Sequence, residues 1–197
     1  MRREGRVVIG LTGNIGSGKT TAADYFVRRG ARLINADKIG RRLLPAIARE
    51  AIKRLGSQVA SGTRLDPVKL RTAVFSDPKK LRILNRLSHP RLVREIRDRL
   101  RRIRSGIVVI DAALLFEWPG LMPEIDVPIL VTAPQFLKEQ RAARKGIDRK
   151  TFRRILRNQR SEKTMARQAT YVIRNDGSPE RLYRQCRAVY KEIKNDC

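Results

Sequence analysis

An α/β fold, a five-stranded parallel sheet flanked by helices, is the architecture this sequence predicts, on three observations. Apolar runs such as Val7–Leu11 and Ile107–Ile110 have the composition of strands buried on both faces. Helical patterns separate such runs, as the crossovers between parallel strands require. The first run passes directly into a glycine-rich turn and then a helix-forming segment that reaches Val27.

That turn is the most informative stretch of the chain. Gly13-Asn14-Ile15-Gly16-Ser17-Gly18-Lys19-Thr20 fits G-x-x-x-x-G-K-[ST], set between the strand and the helix that the phosphate-loop motif demands. Its glycines let successive backbone N–H groups turn toward one anion, and the helix beginning near Gly18 adds its positive end. Lys19 is long enough to reach β- and γ-phosphates, and the Thr20 hydroxyl is placed to ligate Mg²⁺. Asn14, Ile15, Gly16, Ser17, Gly18, Lys19, Thr20 and Thr21 are therefore the candidate ATP-binding residues. The fold class narrows to a P-loop NTPase.

The remaining elements follow in order. Ala22, Ala23, Tyr25, Phe26 and Val27 have the spacing of a helix packed back on the first strand, and Gly30 ends it. Ala31–Ile34 reads as the second strand, with Asn35-Ala36-Asp37 at its carboxyl end, the edge where open parallel sheets bind ligands. Two readings stand for Asp37: a base that accepts the proton of a substrate hydroxyl, or a cap on the helix starting at Lys38. From Ile39 to Arg104 the pattern is helical, the place for a substrate-binding insert. Within it Asp66-Pro67 predicts an N-cap and first-turn proline, Asp77-Pro78 starts a further helix, and Ser88-His89-Pro90 starts another. Arg91, Arg94, Arg97, Arg101 and Arg104 line one face, most simply a solvated one with one or two members available to substrate phosphate. His89, the only histidine, reads on its own as a capping or packing residue.

Ile107–Asp111 is the third strand, an apolar run closed by an acid, the Walker B pattern in which Asp111 orients water on Mg²⁺. Ile125–Val131 is the fourth, and Pro128 inside it predicts an imperfect ladder or a bulge. An arginine-rich helical stretch at about 134–168 has the place and composition of a lid that closes over nucleotide, with a solvated basic face as the rival reading for most of its arginines. Thr170–Ile173 is the fifth strand, and Ser178-Pro179-Glu180 caps a closing amphipathic helix. The expected plan is one domain over residues 1–197, with its core at about 6–37, 106–133 and 169–197 and the insert at about 38–105.

Composition bounds the rest. A length of 197 residues suits one α/β domain with a real core, and 41% hydrophobic residues argue against disorder. No apolar run approaches a membrane span and residues 1–6 lead into a core strand, so the expectation is a cytoplasmic protein without a membrane partner. Cys186 and Cys197 lack metal-ligand spacing and read as free thiols. Lysine and arginine number 45 against 19 acids, a net charge of +26, and 33 of the 45 are arginine. A polyanionic substrate needs only a handful of cations. Because the basic residues run from Arg2 to Lys194 without forming one block, compositional or thermal-adaptation bias is the preferred reading and a nucleic-acid footprint the other. Monomer and small homo-oligomer are both compatible with the sequence.

Several separated segments together resemble the dephospho-coenzyme A kinase family along nearly the whole chain: GLTGNIGSGKTT, the Asn35-Ala36-Asp37 element, LDPVKLRTAVF followed by LSHP, VIDAALLFEW, RILRNQ and YVIRNDGS. The resemblance implies a phosphotransferase that moves the ATP γ-phosphoryl group to the ribose 3′-hydroxyl of dephospho-coenzyme A. It implies Lys19 and Thr20 on phosphate and Mg²⁺, Asp37 as the base, Asp111 near the metal and Arg144 as a lid arginine. It also places His89, Leu114 and Asp37 on the acceptor side. The chain departs from the family's usual pattern at Asn35, where an acid is usual, and at Pro67, Ala113, Gln140 and Thr170. The residues alone leave two alternatives: another small-molecule or nucleotide P-loop kinase, or a basic nucleic-acid-binding descendant of one.

Overall fold

A computed structural model describes residues 5–195, so the expectation for Cys197 lies outside the described residues. In chain order the elements are β1 (Arg6–Thr12), α1 (Lys19–Val27), β2 (Arg32–Asn35), α2 (Ala36–Leu55), β3 (Ala60–Ser61), β4 (Arg64–Leu65), α3 (Pro67–Ser76), α4 (Pro78–Arg101), β5 (Gly106–Asp111), β6 (Val127–Thr132), α5 (Gln135–Ala143), α6 (Arg149–Arg157), α7 (Glu162–Ala166), β7 (Tyr171–Arg174) and α8 (Pro179–Asn195). Two compact units divide them. One holds the described residues up to Asn35 and from Arg97 onward; the other is Ala36–Ile96.

In the first unit five parallel strands lie in the order β2-β5-β1-β6-β7. β1 is the middle strand and every one of its residues is buried, as its apolar run predicts. Register brings the strand ends together: Leu11 and Asn35 both stand opposite Asp111. On one side of the sheet α1 and α8 pack Ala22, Ala23, Phe26, Leu182, Cys186, Val189 and Ile193 onto β1, β6 and β7. Phe26 alone, fully buried, contributes roughly 1.5–3 kcal/mol of hydrophobic stabilisation. Burial pushes the Cys186 thiol up to about 12, so it is a core thiol.

Two expectations about the sheet need correcting. The fourth strand begins at Val127, not Ile125, and no bulge marks Pro128: the pairing Ile9↔Val127, Gly10↔Pro128, Leu11↔Ile129 is continuous. Before the strand, the Asp126 carboxylate accepts the Val8 N–H at 2.7 Å and so ties the approach to β1 through a side chain. Ile125 lies over Gly10, where a Cβ would sit 2.8 Å from its Cγ2. The Pro128 carbonyl still accepts from Thr170 N–H at 2.8 Å.

The second unit has its own core of Ala51, Leu55, Val59, Leu70 and Val74, with Leu44, Leu65, Leu81 and Leu84 packed against it. Asp66 caps α3 as expected, accepting from Val68 and Lys69 N–H at 2.8 and 3.0 Å, with Pro67 following it. The polar residues Ser61-Gly62-Thr63-Arg64 read as a turn, and they close a small antiparallel β3–β4 hairpin. The larger correction is α4. Two helices are expected on either side of Ser88-His89-Pro90, but one helix runs through them. Apolar positions recur at helical spacing on both sides of Pro90, so burial outweighs the hydrogen bond the proline removes. His89 is therefore mid-helix and half-buried, not a cap, and burial lowers its pKa. No helix among the described residues is long and apolar enough to cross a membrane.

Candidate active site

The site is built at the carboxyl end of the middle strand. β1 delivers the chain into the loop 13–18, which needs backbone conformations that side chains resist: Gly16 has φ 76° and Gly18 φ 91°. Space forbids side chains there too. A Cβ at Gly16 would collide with the Lys138 carbonyl, and one at Gly18 with the Asn175 carboxamide. Gly18 is the N-cap of α1 and offers no side chain to the helix, leaving the amides of the first turn to an external acceptor. Ser17 N–H closes the loop on the Asn14 carbonyl at 3.0 Å. Asn14 and Ser17 are buried, and Asn14 Oδ1 and Ser17 Oγ have no partner, so the cradle carries polar capacity that the protein leaves unused.

Lys19 and Asp111 meet directly: the ammonium pairs with carboxylate Oδ1, at side-chain exposures of 11% and 2%. Asn35 Nδ2 donates to the other oxygen, Oδ2, at 3.0 Å. One acid at the end of β5 thus takes a cation on one side and a carboxamide on the other. Thr12 Oγ1 donates to the Ala113 carbonyl at 3.2 Å and holds the chain that follows β5. Asp111 and Thr20 provide a carboxylate and an exposed hydroxyl. Such hard oxygens suit Mg²⁺, which takes one or two protein oxygens and completes its shell from phosphate and water.

Of the predicted site residues, Lys19 of the loop and Asp111 of β5 are brought into contact. Leu114 follows as the half-buried residue whose carbonyl accepts Glu117 N–H at 2.9 Å. Burial raises the Glu117 pKa, an effect the Arg160 charge opposes. Arg144 is exposed at the end of α5, its N–H on the Gln140 carbonyl at 3.1 Å. Asp37 and His89 belong to the second unit; Asp37 is exposed in the first turn of α2, within the helix it could have capped.

Four residues that touch the loop lie outside the predicted site set, although Arg141 falls in the arginine-rich stretch and Gln159 and Asn175 in segments that carry the family resemblance. Asn175, at the end of β7, donates from Nδ2 to the Ser17 carbonyl at 2.8 Å. Arg141 donates to the Gly16 carbonyl at 3.3 Å and to the Asn175 carbonyl and Oδ1 at 3.1 and 3.2 Å. Burial, and then the Arg144 charge, hold its pKa below the usual arginine value. Gln159 Oε1 accepts Ile15 N–H at 3.0 Å, and Lys138 backs Gly16 while its ammonium pairs with Glu162 at 2.8 Å. Asn175 had a further signal, its place at the carboxyl end of a parallel strand.

Comparison with known proteins agrees with this geometry. The family model described as dephospho-CoA kinase matches residues 7–180. Among curated relatives, the dephospho-CoA kinase of Aquifex aeolicus is 34% identical over 193 residues, covering 95% of this chain and 98% of the relative. The Thermus thermophilus relative of the same name is 35% identical over 190 residues, covering 95% and 92%. The crystal structure of TT1252 from Thermus thermophilus superposes with a TM-score of 0.78 at 35% identity, covering 96% of this chain and 98% of that one. Shikimate kinase from Acinetobacter baumannii, at 14% identity and a TM-score of 0.58, covers 96% and 94% and shares the fold. A phosphate loop at the end of the middle strand, an acid paired with its lysine, and likeness along nearly the full length lead to one assignment: the chain belongs to the dephospho-CoA kinase family.

Proposed function

We propose that this chain phosphorylates the ribose 3′-hydroxyl of dephospho-coenzyme A with ATP, releasing coenzyme A and ADP, the last step of coenzyme A biosynthesis. The observation that carries the reading is the loop of residues 13–20 with Lys19 on Asp111, in a member of that family. The first-turn N–H groups of α1 receive the β- and γ-phosphates, together with loop N–H groups other than those of Ile15 and Ser17, which Gln159 and Asn14 engage. Lys19 exchanges part of its contact with Asp111 for a phosphoryl oxygen and follows the charge as it moves to the leaving group. Thr20 and Asp111 would hold Mg²⁺, which when bound neutralises charge on the β- and γ-phosphate oxygens. Asp37 accepts the hydroxyl proton, and its exposure leaves it open to an acceptor. Arg144 has an exposed guanidinium to offer the transferring group, and His89 and Leu114 contribute to the acceptor side.

Two variants test these roles. Lys19→Ala should weaken ATP binding and lower kcat together. Asp37→Asn should lower kcat by about 10²–10⁴-fold, the usual worth of a positioned base, while ATP affinity holds. Unaltered turnover in Asp37→Asn would remove that residue from the base role, and in Lys19→Ala would remove the loop from the reaction.

A further inference from the structure

A loop that offers amides to an anion also carries carbonyls, and where these are buried they need donors of their own. Here the donors come from distant parts of the chain. Asn175 Nδ2 takes the Ser17 carbonyl at 2.8 Å, and Arg141 Nη1 takes the Gly16 and Ser17 carbonyls at 3.3 and 3.5 Å. The two side chains are locked to each other, since Arg141 Nη2 bonds the Asn175 carbonyl and Oδ1 at 3.1 and 3.2 Å. Asn175 is 7% exposed and its own N–H is anchored to the Thr132 carbonyl at 2.7 Å, so the brace stands on the sheet. The fit extends to the glycines. A side chain at Gly18 would strike the Asn175 carboxamide, and one at Gly16 would strike the backbone of Lys138, one turn before Arg141 on α5.

We propose that Asn175 and Arg141 are positioning residues for the triphosphate: by holding the Gly16 and Ser17 carbonyls from behind, they fix the loop torsions that aim its amides at phosphate. The proposal rests on the phosphotransfer reading only in that phosphate occupies the loop. Neither residue needs to touch the nucleotide. All the acceptors that Arg141 engages are neutral, so its charge also remains uncompensated by those contacts and favours an anion in the cradle. On this reading α5 belongs with the loop as a fixed support, and closure over nucleotide is left to the segment beyond it.

The test uses the full chain and two probes, ATP and inorganic tripolyphosphate, in calorimetric titrations of the parent and of Asn175→Asp, Asn175→Ala and Arg141→Lys. Asn175→Asp keeps the shape but sets an oxygen against the Ser17 carbonyl; Arg141→Lys keeps the charge and loses the fork. Each variant should weaken ATP and tripolyphosphate by the same factor, about tenfold, the usual cost of stranding one buried polar partner. The KM for the acceptor should stay within about twofold, which general loosening of the fold would not spare. Unchanged affinity for both probes in folded variants, or a loss confined to ATP, would overturn the proposal, the second outcome indicating contact with the nucleoside instead. A parent chain that binds neither probe would overturn the phosphotransfer reading as well.

Discussion

At the scale of single residues, the balance around Asp111 decides what the site can hold. Its two oxygens are engaged by Lys19 and by Asn35, so a nearly buried carboxylate is met by one charge and one neutral donor. Asn35→Asp would set a second carboxylate about 3 Å from the first, and carboxylates that close share a proton, with one pKa strongly raised. That variant should therefore lose kinase activity on acidification more steeply than the parent; superimposable pH–rate profiles would contradict this placement of Asn35. Legibility was uneven at this scale. Residues 13–20 could be read because eight consecutive positions carry the whole pattern. Asn175 shows in the sequence only its place at the end of a strand, because its partner Ser17 lies 158 residues away and nothing local announces the contact.

At the scale of elements, the rules that worked were those satisfied within a few residues. Asp66 and Pro67 open α3, and Ser178 stands before α8, because capping is settled by neighbouring N–H groups. The rules that failed were those in which proline is weighed against burial. Pro128 sits inside a ladder without disturbing its register, and Pro90 sits inside α4, because the packing on either side is worth more than one missing N–H. Since Pro90 lies within one continuous helix, Pro90→Ala should stabilise the chain by about 1–3 kcal/mol in denaturant unfolding, given the cost of proline in a helix interior. A neutral or destabilising result would indicate that a break at Pro90 exists in solution.

At the scale of the whole molecule, the charge of +26 is the feature the sequence displays most loudly and the site uses least. The loop and Asp111 need only a few cations, Lys19 and Arg141 among them, and ion pairs such as Arg101–Asp98 and Arg149–Glu139 are surface contacts, each worth at most about 1 kcal/mol. Function was legible through motif order and geometry, because phosphate recognition constrains backbone torsions while net charge constrains almost nothing local. The proposed reaction moves one phosphoryl group to one hydroxyl. Its most direct test is to incubate the purified chain with ATP, Mg²⁺ and dephospho-coenzyme A, and to follow phosphorus resonance and product mass together. One ADP is expected for each acceptor converted, with the new phosphate on the ribose 3′-oxygen and no turnover once Mg²⁺ is chelated. ADP formation indifferent to dephospho-coenzyme A, with the acceptor recovered unphosphorylated, would contradict it.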